Sequence, residues 1–410
     1  MTNKPQKTIR VGVVGCGVVA TAYYLPYLLT RKDAEITAVC DLRKARAEEC
    51  KRIFSAKAAY DDYDRMLREA DLDLVMVLTG PGTHVRFTVA AVESGRDVLL
   101  QKPMALDLEG AEAIVTATRK NRRKVLVEPS APSPISPHSA EIRRLVREGV
   151  LGKTSWFQCI PTGPSEAGHP VLSGNPYGEG AFYAKDSGGM IFDYAYGPAQ
   201  IATILGSCKR VTAMATTTMR DRFIVPEEHY DKHLQAAQSP EEANYWDAAI
   251  AAEKSKPVTM EAPDNAFAIF AMADGSLGVY HFGRTFQPTR PPATYGGMQV
   301  YGTEGNLIYG AGHMASLYTT RRDLVDDIDE EGWKHWDGPK GTGPYKWPQP
   351  PKGAFNYYHA STDHILTCIH EDRDPVLNVE YGRHVTEMMH GTVVSARSGT
   401  HYDMKTSIDW

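Results

Sequence analysis

From residue 9 to residue 127 the chain alternates short apolar, β-branched runs with longer stretches whose apolar residues return every three or four positions. The runs IRVGVVG, EITAVC, DLVMVL, DVLLQ and KVLVE predict strands, and LRKARAEECKRIF, HVRFTVAAVESG and LEGAEAIVTATRK predict the helices between them. Each helical stretch ends near a glycine or a basic residue, as helix C-termini prefer. Such alternation predicts a doubly wound α/β domain with a parallel sheet.

The pattern then changes. EPSAPSPISPHSA (128–140) can continue neither a helix nor a central strand, so it marks a junction between a first domain, residues 1–128, and a second, residues 129–410. After a helical stretch, EIRRLVREGVLG, come KTSWFQC, KRVTAMATT, NAFAIFAMADGSLGVYHFG, MQVYGTEGNLIYG and SLYTTRR, separated by turn signals such as ADGS and GTEG. They predict a largely antiparallel sheet carrying a few helices. Residues 221–257 read as a polar helical insertion between two strands, either a lid or oligomer contact or a solvated decoration. GPKGTGPYKWPQPPKG (338–353) reads as an irregular loop.

Composition narrows the function classes. The 410 residues are 42% hydrophobic and 23% charged with a net charge of −5, which suits a globular protein with a sizeable core and offers no basic footprint for nucleic acid. No apolar run is long enough to span a bilayer, and the start, MTNKPQKTIRVGVVG, lacks the pattern of a signal peptide. Cys16, Cys40, Cys50, Cys159, Cys208 and Cys368 have no paired spacing, which argues against disulfides and zinc. The expectation is a cytoplasmic protein without a metal.

VGVVGCGVVA places Gly15, Gly17 and Ala20 in G-x-G-x-x-A spacing where the first strand should turn into the first helix. Gly15 permits the tight turn, Gly17 lets the backbone approach a pyrophosphate, and Ala20 allows close helix packing; Val18 and Val19 belong to the same cofactor loop. The second strand ends in VCDLRK, so Asp41 stands where a carboxylate accepts ribose hydroxyls, although an N-cap role fits the same position. Its charge would repel a 2′-phosphate, which predicts NAD rather than NADP; Arg43 and Lys44 stand close enough to soften that preference.

Residues 75–114, VMVLTGPGTHVRFTVAAVESGRDVLLQKPMALDLEGAEAI, resemble the glucose-fructose oxidoreductase/inositol dehydrogenase (Gfo/Idh/MocA) family, whose members carry a strand, a loop ending in His, a helix, a Gly and then Glu-Lys-Pro. The matching residues are His84, Gly95 and Gln101-Lys102-Pro103. VYGTEGNL (300–307) and the closing helical stretches extend the resemblance through most of the chain. It implies a Rossmann dinucleotide-binding domain followed by an α+β domain with a large open sheet that pairs face to face, hence a homo-oligomer, dimer or tetramer. It also implies hydride transfer between a nicotinamide and a carbinol of a sugar or cyclitol, with Gly80, His84, Gln101 and Pro103 at the cofactor and Lys102 beside the nicotinamide. The chemistry suits a lysine: hydride leaves a carbinol carbon only if its hydroxyl proton is taken, and an ammonium stabilises the developing alkoxide.

Within DSGGMIFDYAYGPAQ (186–200) the resemblance implies that Asp193 orients Lys102 or relays protons, with a His or Tyr four residues later. That position holds Gly197, but the spacing from Asp193 to Gly206 is one residue shorter than in the family, so a gap in YAYGP would slide Tyr196 into the catalytic place. A tyrosine ionises near pH ~10 and needs a neighbouring cation to act as a base; Lys102 is the candidate. The alternative is that Tyr194 and Tyr196 simply pack. The second departure is Gln101, which removes the family's negative charge next to Lys102.

His169, Tyr183, Tyr194 and Arg284, with Lys185 and His281, are candidates to line a polyol pocket. His359, Asp363 and His364 lie on one predicted helix, where a metal is imaginable but no third ligand is evident. The leading expectation is an NAD-dependent oxidoreductase of a sugar, sugar derivative or cyclitol. The alternatives are a redox-neutral glycosidase working through a transient keto-sugar and a non-catalytic dinucleotide or sugar sensor.

Overall fold

The computed structural model describes residues 7–128, 134–135, 138–160, 189–193, 195–218, 220–253, 255–283, 297–310, 315–336 and 356–409. Six parallel strands, β1 (Ile9–Val14), β2 (Ala34–Cys40), β3 (Ala58–Tyr60), β4 (Leu74–Val77), β5 (Asp97–Leu100) and β6 (Val125–Val127), lie side by side in the order 3-2-1-4-5-6. Every residue of β4 and β5 is buried, as expected of strands covered on both faces. The strand order reverses between β1 and β4, which opens a crevice at their C-terminal ends.

The covering helices are α1 (a π-helical turn, Ala20–Tyr24, continued by Leu25–Leu28), α2 (Lys44–Ile53), α3 (Tyr63–Glu69), α4 (His84–Glu93) and α5 (Leu108–Asn121). Side-chain caps fix where two of them begin: Asp62 accepts from Arg65 N–H at α3 and Asp107 from Gly110 N–H at α5. β3 and α3 escape a periodicity reading because they are only three and seven residues long.

After α6 (Ser139–Arg147) the second domain builds a nine-stranded sheet from β7 (Thr154–Ile160), β8 (Cys208–Thr216), β11 (Asn265–Met272), β12 (Leu277–Gly283), β13 (Gly297–Gly302), β14 (Gly305–Gly310), β15 (Ala315–Thr319), β16 (Trp333–Trp336) and β17 (Tyr402–Asp403). Neighbours pair antiparallel except β7 with β12. Two short helices, α7 (Met190–Asp193) and α8 (Tyr196–Leu205), lie between β7 and β8 in sequence. Trp156, Met214, Phe267, Ile269 and Leu277 are 46%, 81%, 49%, 52% and 54% exposed, leaving one sheet face largely apolar and uncovered.

The predicted insertion is more structured than a polar helix. β9 (Asp221–Ile224) and β10 (Lys256–Thr259) pair as an antiparallel ribbon, and between them run α9 (Glu227–Ala236) and α10 (Trp246–Ala251). The insertion does not stand off in solvent, because α9 packs against α2 of the first domain. The chain closes with α11 (Tyr357–Glu371) and α12 (Val379–Ser398); α12 packs against both β8 and α5. Buried apolar residues of both domains, from Val11 and Leu126 to Phe157, Tyr280 and Met388, form one continuous core. No helix among the described residues is long and apolar enough to cross a membrane.

Candidate active site

At the C-terminal end of β1 the chain turns at Gly15 with φ +95°. A Cβ at this position would stand 2.7 Å from the Leu78 carbonyl oxygen, so the turn and the close approach to the next strand both require glycine. Beyond it opens a cleft of about 290 Å³ lined by Gly15, Gly17, Val18, Val19, Asp41, Arg43 and Gly80. All seven were expected at the cofactor from sequence. Asp61, Tyr63, Thr79, Thr83, Phe87 and Glu227 also line it, and no motif had singled them out.

Asp41 is not a helix cap: Arg43 occupies the N-cap position of α2 and makes no side-chain cap bond. Instead the Asp41 carboxylate accepts from Cys16 N–H at 3.0 Å and from Arg43 N–H at 2.9 Å, which fixes it at the rim of the cleft. A glycine turn that admits no side chain, with a fixed carboxylate at the end of β2, fits the pyrophosphate and ribose of a dinucleotide.

Lys102 follows β5 and does not itself line the cleft, although its neighbour Pro103 is linked through His84 to Thr79 in the cleft wall. Lys102 Nζ lies 2.5 Å from Asp193 Oδ1 and 3.3 Å from the Asp193 carbonyl oxygen. The two residues are only 8% and 2% exposed, so this is a buried charge pair, and Nζ also sits 5.2 Å from the centroid of the Tyr196 ring. Three residues singled out from sequence, 91 or more positions apart for Lys102, are thus brought together.

His84 and Pro103 hold this corner rather than line the cleft. The imidazole is wholly buried, with Nδ1 2.7 Å from Pro103 O and Nε2 2.9 Å from Thr79 O. Burial lowers its pKa, opposed by the hydrogen bonds to the Pro103 and Thr79 carbonyls, with the nearby Lys102 adding to the depression. The ring ties the Lys102–Pro103 loop to the cleft wall.

Two family models match consecutive parts of the chain: an oxidoreductase family with an NAD-binding Rossmann fold over residues 9–128, and the GFO/IDH/MocA C-terminal domain over residues 139–308. The chain belongs to the GFO/IDH/MocA oxidoreductase family. Curated relatives include D-glucoside 3-dehydrogenase of Escherichia coli, 30% identical over 37% of this chain and 42% of its own length. Another is dTDP-3,4-didehydro-2,6-dideoxy-alpha-D-glucose 3-reductase of Actinomadura kijaniata, 27% identical over 53% and 62%. The matches thus span about half the length of these relatives. Among solved structures, levoglucosan dehydrogenase with NADH and L-sorbose superposes with a TM-score of 0.73 at 16% identity, over 98% of this chain and 100% of its own. An oxidoreductase from Agrobacterium radiobacter in complex with NAD+, L-tartaric acid and magnesium superposes with a TM-score of 0.70 at 16% identity, over 97% and 98%. At such identities the superpositions speak for the fold alone.

Against this family's pattern, the two departures acquire physical content. A Cβ on Gly197 would fall 1.9 Å from Cε2 of the buried Tyr280 ring, so this position admits no side chain, and the residue presented to Lys102 is Tyr196. Gln101, where the family has glutamate, donates from Nε2 to the Tyr24 hydroxyl at 2.8 Å, and that hydroxyl donates to Glu128 at 3.0 Å. Leu100 pairs with Val127 across β5 and β6, so Gln101 and Glu128 are the next residues of adjacent strands. Burial first, and the Glu128 charge second, push the Tyr24 pKa well above its ordinary value, which keeps its proton in place. A carboxylate thus stands one strand over, at Glu128, a position that sequence reading left unremarked.

Of the remaining candidates, those among the described residues make other contacts. His359 stacks on Tyr27 at 3.8 Å, Asp363 accepts from Tyr27 and Arg31, and His364 Nε2 accepts from Val376 N–H. Among the described residues no group of three His, Cys, Asp or Glu could hold a metal. His281 faces Asn265 and Phe267, on the sheet side opposite its neighbour Tyr280. His169, Tyr183, Lys185, Tyr194 and Arg284 lie outside the described residues, as does the 338–353 loop.

Proposed function

We propose that this protein is a cytoplasmic NAD-dependent oxidoreductase that takes hydride from a secondary hydroxyl of a sugar, sugar derivative or cyclitol. One observation carries the reading: a buried lysine ammonium, fixed by Asp193 and faced by Tyr196, is followed by Pro103, which His84 ties to Thr79 in the wall of a cleft fitted to a dinucleotide. When bound, the nicotinamide supplies the hydride acceptor. Lys102 donates a hydrogen bond to the carbinol oxygen and stabilises the negative charge that grows there as the C–H bond breaks. The hydroxyl proton is drawn off towards the Asp193 carboxylate, with Tyr196 holding the same oxygen from the other side. A glucoside dehydrogenase and a dTDP-sugar 3-reductase among its relatives support a carbohydrate substrate.

The test is incubation with NAD and a panel of free sugars, cyclitols and aryl glycosides, following nicotinamide absorbance and aglycone together. NADH rising with substrate loss is the expected result. Aglycone release with flat absorbance would make the protein a redox-neutral glycosidase, and tight cofactor binding without any turnover would make it a sensor. The exposed apolar face of the nine-stranded sheet supports pairing of two copies; light scattering that gives a monomer mass would overturn that part.

A further inference from the structure

The insertion reaches the cofactor cleft through charged residues that neither the glycine motif nor Asp41 explains. Its helix α9 lays Tyr230 against the glycine loop: the buried hydroxyl donates to Cys16 O at 2.8 Å and lies 3.2 Å from Thr21 Oγ1. Two carboxylates stand near it on the same helix, Glu227 about one turn before and Asp231 directly after. Asp231 accepts from Arg43 Nη1 at 2.7 Å and from Arg46 Nε at 2.8 Å, while Glu227 pairs with the other Arg43 nitrogen and itself lines the cleft. Arg46 is further held over the Tyr230 ring, 4.9 Å from its centroid.

Arg43 and Arg46 flank Asp41 at the place where a dinucleotide fold receives the adenosine ribose. Free arginines at that place capture a 2′-phosphate bidentately and favour NADP. Here both guanidiniums are already engaged by carboxylates, and Asp41, Asp61 and Glu227 line the cleft beside them. A 2′-phosphate would have to break these pairs and enter beside uncompensated negative charge.

We propose that Glu227 and Asp231 make the insertion helix a cofactor-specificity element, excluding NADP by sequestering Arg43 and Arg46. The selection for NAD is then split between two domains: Asp41 binds the ribose hydroxyls, and α9 disarms the arginines that would bind a phosphate instead. This rests on dinucleotide binding alone, not on the substrate assigned above.

Direct fluorescence titration of the full chain with NADH and NADPH tests it, with thermal melts to verify folding. In Glu227→Gln/Asp231→Asn, NADPH should tighten by ~10-fold or more while NADH changes by less than ~3-fold. Adding Arg43→Ala and Arg46→Ala should abolish the gain. Asp41→Ser alone should leave NADPH weak, because the arginines remain held. An unchanged NADPH to NADH ratio in the double variant, an equal loss of both affinities, or an Asp41→Ser variant that already binds both cofactors equally would each overturn the proposal. Should the Gln/Asn variant fail to fold, the Asp41→Ser titration decides alone. Failure of the wild type to bind either cofactor would instead sink the dinucleotide reading.

Discussion

Lys102 Nζ and the Asp193 carboxylate, 2.5 Å apart and almost excluded from solvent, form a buried charge pair. Removing one partner of a buried pair costs about 3–5 kcal/mol, whereas replacing both by apolar groups can be close to neutral. Asp193→Ala should therefore lower stability in urea by about that amount, and Lys102→Met/Asp193→Leu should recover most of it. Activity should behave oppositely. Losing the ammonium donor removes ~10²–10³-fold in kcat whether or not stability returns. A double variant that is both stable and active would separate the pair from the chemistry.

Tyr196 and Gly197 make a second separable case. Tyr196→Phe keeps the ring 5.2 Å from Lys102 Nζ and deletes only the hydroxyl, so a proton-handling role predicts a ~10²-fold loss of kcat with KM little changed. Unaltered kcat would reduce Tyr196 to packing. Gly197→Ala drives a methyl into the Tyr280 ring and should cost about 1–3 kcal/mol or more, and Gly197→His should fail to fold rather than install an imidazole at the site.

How far these features were legible in the sequence follows from how local their causes are. Gly15, Asp41 and the strand runs act through backbone geometry and periodicity within a few residues, so their places in the cleft could be read directly. Lys102 and Asp193 were legible only through resemblance, since nothing in QKP or MIFD itself says that they meet. Glu227, Asp231 and Glu128 were not legible at all. Their partners lie 184, 188 and 104 positions away, at Arg43 for the first two and Tyr24 for the third, and a surface helix rich in Glu and Asp looks the same in sequence whether it faces water or an arginine pair.

The Glu128 carboxylate yields a third prediction. Gln101 and Glu128 meet on the Tyr24 hydroxyl, so Gln101→Glu restores the family residue but sets two acids against one buried phenol. That variant should be destabilised by about 1–3 kcal/mol, the range for an unsatisfied buried polar group. Glu128→Gln in the same background should restore stability, giving a coupling energy of opposite sign to the single effects in a double-mutant cycle. Additive losses would mean that residues 101 and 128 do not compete for the Tyr24 hydroxyl.

His384 sets the pH dependence of the closing segment. Its Nε2 accepts from Cys208 N–H at 3.0 Å, and its Nδ1 lies 2.9 Å from Thr406 Oγ1. The Thr406 hydroxyl donates to the buried Glu387, so the imidazole proton must sit on Nδ1 and donate to Thr406. Protonating Nε2 would turn it from an acceptor into a donor aimed at an N–H. Burial accordingly lowers the His384 pKa to about 4, with Glu387 pulling the other way and Arg383 adding slightly to the depression. Because an unfolded histidine titrates near ~6.5, the unfolded chain binds a proton between about pH 4 and 6.5 that the folded chain refuses. Stability from this group is thus fully present above pH ~6.5 and declines as pH falls through that window, by roughly 3 kcal/mol when complete. Urea unfolding at pH 7 and pH 4.5 should show a smaller acid loss in His384→Gln than in the wild type, although the variant is weaker at pH 7. Parallel losses in the two proteins would assign the acid sensitivity to other groups.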